Sequence, residues 1–235
     1  MVRHLSRLFH FLDVFSSPVE TRGVRLSVRF VLLWFWLDVL LFLLLGLLEH
    51  SPRNVLSSGI LLLMWLVAVA LPKVFGKSEW FEDHPSFTYL LAVLLMALFE
   101  ETLVTLNGGG LGGKATSLAH DLTIAVPVFM GIGTGLYLAH RMAPMSRGEF
   151  FLFGALFGFF VEIVLNGAWS SLVLLGGGAM GLYGMILSAY TPGTDSPAPL
   201  GVRKVLIVMA LGATFMLAGA VVGDTLWRLA GGSSL

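Results

Sequence analysis

The chain contains no cysteine. Disulfides, thiolate nucleophiles, cysteine-ligated zinc and iron–sulfur clusters are excluded at once. Charge is the second shortage: 12% of the 235 residues are charged, whereas 57% are hydrophobic. A soluble domain carries about 25% charged and about 45–50% apolar residues, so this chain cannot cover a water-soluble surface of its size. A cytosolic or secreted enzyme, a disordered chain and a nucleic-acid binder are therefore excluded together. Lys+Arg and Asp+Glu are equal at 14 each, and the net charge of zero says nothing until the charges are placed along the chain.

Long apolar runs fill the gap. A helix crossing a hydrocarbon core of about 30 Å needs roughly 20 apolar residues. Seven segments meet that need: residues 29–48, 55–75, 87–106, 118–139, 150–169, 172–190 and 205–228. The expected fold is an all-α, polytopic transmembrane bundle of seven spans occupying residues 28–230. Residues 1–27 lack the continuous apolar core and small-residue cleavage site of a signal peptide. Leu5, Leu8, Phe9, Leu12 and Phe15 recur there at helical spacing among Arg3, Arg7 and His10, which suits an amphipathic interfacial helix or one packed on the bundle's own face. Residues 231–235 read as a tail, residues 76–86 as an acidic loop, and residues 191–202, with Pro192, Pro197 and Pro199, as an extended linker.

Basic residues concentrate on the cytoplasmic side of membrane proteins. With the N-terminus inside and seven spans, only Arg53, Lys114 and Arg228 of the 14 Lys and Arg fall outside. Fusing the fifth and sixth spans would carry Arg203 and Lys204 outward and weaken that bias. The expectation is N-in, C-out, in a prokaryotic plasma membrane. Small-xxx-small pairs, Gly131/Gly135, Gly154/Gly158, Gly177/Gly181 and Gly219/Gly223, predict that spans four to seven form a tight centre. Spans one and two, rich in Leu, Phe and Trp, are expected at the periphery.

An ionisable residue at mid-membrane costs about 2.5–3.5 kcal/mol to insert. The chain places Asp38, Glu100, Glu101, Asp121, Glu162 and Asp224 inside spans, with His120 beside them and no Lys or Arg at that depth. Alternating span direction puts all of these acids except Asp38 in the outer half. Glu100 shares a helical face with Val104 and Asn107, Glu101 with Thr105, and Glu162 with Asn166. Carboxylates gathered in an apolar medium require a shared proton, a bound cation, or a water held between carboxyls and a histidine. The bland alternative is that they hydrogen-bond across helices as packing contacts, which is the preferred reading for Asp38 and Asp224. The candidate catalytic residues are Glu100, Glu101 and Glu162. Asn107, Asp121 and Asn166 are candidate substrate or proton-relay groups. His120, Glu101 and Glu162 are candidate ligands of a divalent cation.

The glycine-rich loop at residues 107–114 ends in Lys114 but is not a P-loop. Its glycine spacing is one residue short, and Ala115 stands where Ser or Thr should be. A bis-histidine haem on His50 and His120 has little to recommend it.

The sequence Phe99-Glu100-Glu101-Thr102-Leu103 resembles the opening motif of the CPBP (CAAX protease and bacteriocin-processing) membrane protease family. In that family an Arg follows four residues after the second Glu, where this chain has Thr105. No Phe-xxx-His follows downstream, and Glu162-xxx-Asn166 stands where a His-xxx-Asn would belong. The resemblance implies an intramembrane hydrolase with Glu100 or Glu101 as general base, opening toward the cytoplasm. Two further classes fit the residues: a proton- or cation-coupled transporter, and a non-catalytic subunit or assembly factor. The expected partners are the lipid bilayer and either other membrane subunits or further copies of the chain.

Overall fold

The computed structural model describes residues 11–108, 117–165, 169, 172–192 and 197–232. Among these the fold is all helical. After a short 3₁₀ turn at Phe11–Asp13 come α1 (Arg22–Leu48), α2 (Pro52–Phe75), α3 (Glu79–Asp83), α4 (Pro85–Leu106), α5 (Leu118–Met142), α6 (Arg147–Phe159), α7 (Leu172–Ser188) and α8 (Val202–Leu229). α6 continues into a π-helical turn, Phe160–Leu165. Among the described residues six helices are long and apolar enough to cross a membrane: α1, α2, α4, α5, α8, and α6 together with its π turn. α7 has 17 residues and is not among these six.

The starts of these helices are written in side chains that satisfy free backbone N–H groups. Thr21, Ser51 and Ser117 each accept from the backbone N–H three residues on. Ser146 and Glu149 close a reciprocal capping box. Pro52 and Pro85 occupy first-turn positions that need no donor. α1 begins seven residues earlier than the apolar run at 29–48, because the Thr21 cap nucleates a turn carrying Arg22 and Arg25. The segment expected to be a loop at 76–86 contains α3, whose Trp80 lies flat on His84 at 4.6 Å.

Neighbouring helices run antiparallel. Thr105 meets Asp121 and Tyr89 meets Tyr137 across α4 and α5. Ser58 bonds the Val39 carbonyl across α1 and α2. This pairing divides the bundle into a basic end, with Arg22, Lys73, Arg141, Arg147 and Lys204, and a carboxylate end, with Glu100, Asp121 and Glu162. α5 and α8 form the closest pair, with the glycines predicted to pack lying in one antiparallel register. Gly131 faces Phe215, Gly135 faces Leu211 and Gly212, Gly219 faces Pro127, and Gly223 faces Thr123. Pro127 has no N–H to offer the Thr123 carbonyl, and Gly223 lies against that carbonyl.

One packing expectation is overturned. α1 is not peripheral: Trp34 and Phe35 fill the space left by Gly177 and Gly181, and Asp38 reaches the α7 backbone. α8, by contrast, is the most exposed spanning candidate, with 22% of its apolar stretch buried against 56% for α6. A glycine stripe marks where one partner comes close, and that partner can be a bulky ring as readily as another small residue. It does not mark the centre.

The basic end is held by polar contacts. The Lys204 ammonium, on α8, reaches both Glu149 oxygens at 2.8 Å and the carbonyls of Pro144 and Ala198 at 2.8 and 2.7 Å. The linker is docked rather than merely extended, since the Ala198 N–H also bonds the Pro144 carbonyl. The chain before α1 lies on the bundle: Phe15 stacks on Phe151, Arg147 donates to the Val14 carbonyl, and Glu20 accepts the Gly148 N–H at 2.7 Å. The proposed interfacial helix lies largely in residues 1–10, outside the described residues.

Candidate functional site

Four helices bring polar side chains to the carboxylate end. The last two turns of α4 carry Glu100, Glu101 and Thr105. The first turn of α5, opened by the Ser117 cap, carries His120 and Asp121. The π-helical turn after α6 carries Glu162, and α7 contributes Tyr183.

Glu100 is the buried member of the adjacent pair, 8% exposed, whereas Glu101 is half-buried. Successive helix residues point in different directions, so only one of them can face fully inward. The two carboxyls lie close enough to influence each other, and both lie within electrostatic reach of Glu162 and Asp121. One Glu100 oxygen, Oε2, is buried without a hydrogen-bond partner among the described residues. Tyr183 donates its hydroxyl to Glu162 Oε1 at 3.0 Å, and Thr105 donates to Asp121 Oδ2 at 2.8 Å. Tyr183 also lies in the field of all three glutamates. Among the described residues neither Glu100 nor Glu101 forms a salt bridge. Glu162 and Asp121 thus stand at the same end of the bundle as the Glu100–Glu101 pair, close enough for their charges to act on it.

The remaining candidates are engaged with other partners or lie apart from the glutamates. His120 hydrogen-bonds Asp121 through Nδ1 at 3.2 Å and sets its ring edge-on to Trp227 at 4.9 Å. Asn107 is buried, but its amide donates to Ser57 Oγ and the Arg53 carbonyl, tying the end of α4 to the start of α2. Arg53 in turn donates to the Gly108 carbonyl at 2.8 Å. Asn166 lies outside the described residues. Among the described residues no three His, Asp or Glu side chains converge in a way that could hold a metal ion. Asp38 is used structurally, accepting the Gly178 N–H at 2.6 Å deep inside the bundle. Asp224 pairs with Arg228 one turn on, partly exposed. His50 sits in the α1–α2 turn with a φ of 50°.

Tyr183 is the member of this polar cluster that sequence reasoning missed. The available signal was a tyrosine, with a hydroxyl to satisfy, set within the glycine run of residues 176–184 of an apolar span. The π-helical turn was also missed. Such turns appear mostly as single-turn insertions in α-helices and often coincide with functional positions.

No protein-family model, curated protein or solved structure matches this chain. The resemblance to the CPBP proteases therefore rests on the Glu100–Glu101 pair alone.

Proposed function

We propose that this protein is a multi-pass membrane protein that binds a proton or a small monovalent cation at the Glu100–Glu101 pair, with Glu162 contributing its charge, and couples that binding to ion movement across the bilayer. The observation that carries the reading is the buried Glu100 oxygen without a partner, set among acids. A carboxyl group held away from water is tolerated when a proton or cation accompanies it. The half-buried Glu101 gives such an ion a way in. Hydrolysis has less support: His120 bonds Asp121 and neither glutamate of the pair, and no group of three ligands for a metal is found among the described residues.

The test is flux in liposomes. Protein reconstituted in vesicles under a pH gradient is expected to move sodium or potassium in exchange for protons. Glu100→Gln should lower that flux at least about tenfold, since the amide neither carries a proton nor balances a cation's charge. Parent protein that moves neither ion, or a Glu100→Gln variant as active as the parent, would overturn the proposal. Co-purification of a stoichiometric partner in the absence of flux would favour the subunit reading.

This reading includes seven spans with α7 as the sixth, N-terminus inside. The absence of cysteine makes the topology directly testable, because each introduced thiol is the only one present. Ser51→Cys and Gly232→Cys should react with an impermeant maleimide added outside intact cells, and Ser78→Cys only after permeabilisation. Labelling of Ser78→Cys from outside together with Gly232→Cys would eliminate the seven-span arrangement.

A further inference from the structure

We infer that Tyr183 is the positioning residue of this carboxylate cluster: its hydroxyl fixes Glu162 where its charge acts on the Glu100–Glu101 pair and so tunes the pH at which the pair exchanges its proton for a monovalent cation. The inference rests on the cation-binding reading above and adds to it a residue, a role and a regulated property.

The geometry is specific. Tyr183 is 7% exposed, and its hydroxyl ends 3.0 Å from Glu162 Oε1. Its ring has little freedom. A Cβ added at Gly158 would lie 2.7 Å from Tyr183 Cβ and Cγ, so the glycine is what admits the ring between α6 and α7. Phe129, from α5, covers it with ring centroids 4.6 Å apart. Gly154, one turn before Gly158, lets α6 approach the Tyr183 carbonyl as well. The face Gly154–Gly158–Glu162 is therefore two small residues making room for a tyrosine and one acid receiving its hydroxyl.

The backbone under Glu162 makes such a tether useful. Glu162 lies in the π-helical turn, where the regular i→i+4 ladder is interrupted. A side chain borne there is aimed less strictly by its own helix, and a donor fixed on the neighbouring helix supplies the missing constraint. The titratable groups facing this point are Glu100 and Glu101 from α4, Asp121 with its partner His120 from α5, Glu162 itself, and Tyr183 from α7. Removing the hydroxyl deprives a carboxylate of a donor and favours its protonated form.

The experiment uses the full chain in lipid and infrared difference spectroscopy of the protonated-carboxyl band. The band is titrated with pH, with and without sodium or potassium chloride. Tyr183→Phe keeps the clamped ring and removes only the hydroxyl. Its midpoint is expected to move upward by about one pH unit, a tenfold change in proton affinity, with an unchanged unfolding temperature. Incorporating 3-fluorotyrosine at position 183 strengthens the donor without removing it and should move the midpoint the other way. It also provides an independent test if the phenylalanine variant folds poorly. Parent and substituted proteins sharing one midpoint would overturn the role of Tyr183. A parent whose carboxyl band ignores both pH and salt would instead overturn the cation-site reading.

Discussion

Lys204→Met is expected to destabilise the bundle by about 3–5 kcal/mol, the usual cost of leaving one member of a buried ion pair without its partner. The Lys204 and Glu149 side chains are 3% and 5% exposed, and the ammonium spreads its donors over Glu149, Pro144 and Ala198. A lysine has three N–H bonds to give, and all are used within the protein. Methionine fills a similar volume but strands the Glu149 carboxylate. Glu149 keeps only its capping bond from the Ser146 N–H at 2.7 Å. The turn at 143–146, the linker at Ala198 and the start of α8 lose their common tie in one step. Replacing both residues, Lys204→Met with Glu149→Leu, removes charge and countercharge together and should recover most of the loss. Unfolding in mixed detergent micelles measures both. A single variant as stable as the parent would show that the pair is not structural. So would a double variant that is worse than the single one.

The legibility of this protein divides along a physical line. Residues whose cost is read from chain position alone were visible. A carboxylate within an apolar run is expensive whatever its neighbours, and alternating span direction assigns its depth, so Glu100, Glu101, Asp121 and Glu162 could be grouped before any contact was known. Residues whose significance depends on a partner were not. Tyr183 is neutral and costs little until its hydroxyl meets Glu162. Lys204 and Glu149 both sit at the basic end, where a charge is ordinary, so Lys204 read only as part of the orientation bias. Asn107 shows the converse error. Its helical face was inferred correctly alongside Glu100, but both are buried against different neighbours, and the amide is taken by Ser57 on α2.

The same distinction explains α1 and α8. The glycines predicted close approach, and close approach occurs at all four pairs. What they could not specify was the partner. Gly177 and Gly181 receive Trp34 and Phe35 of α1, which brings a supposedly peripheral helix inward. Gly219 and Gly223 receive the backbone of α5, leaving the far side of α8 open.

That arrangement makes the α5–α8 seam sensitive to a single methyl group. Gly135→Ala would place a Cβ 2.6 Å from the Leu211 carbonyl oxygen and 2.7 Å from Gly212 Cα. Gly219→Ala would drive one into the Pro127 carbonyl. Backbone atoms cannot swing aside as side chains do, so the helices must separate along the whole register. Each substitution is expected to cost about 1–3 kcal/mol, the range for overpacking a tight contact. The two act on one seam. Once the first has parted the helices, the second meets less resistance, so the double variant should cost less than the sum. Gly59→Ala is the control, since its methyl meets nothing within 4 Å and helix propensity alone favours it by up to about 1 kcal/mol. Thermal unfolding of the parent and these four variants in one detergent decides the matter. If Gly135→Ala and Gly219→Ala unfold with Gly59→Ala, or if their effects add independently, α5 and α8 are not joined by this register. The pairing would then have to be sought on another face of α8.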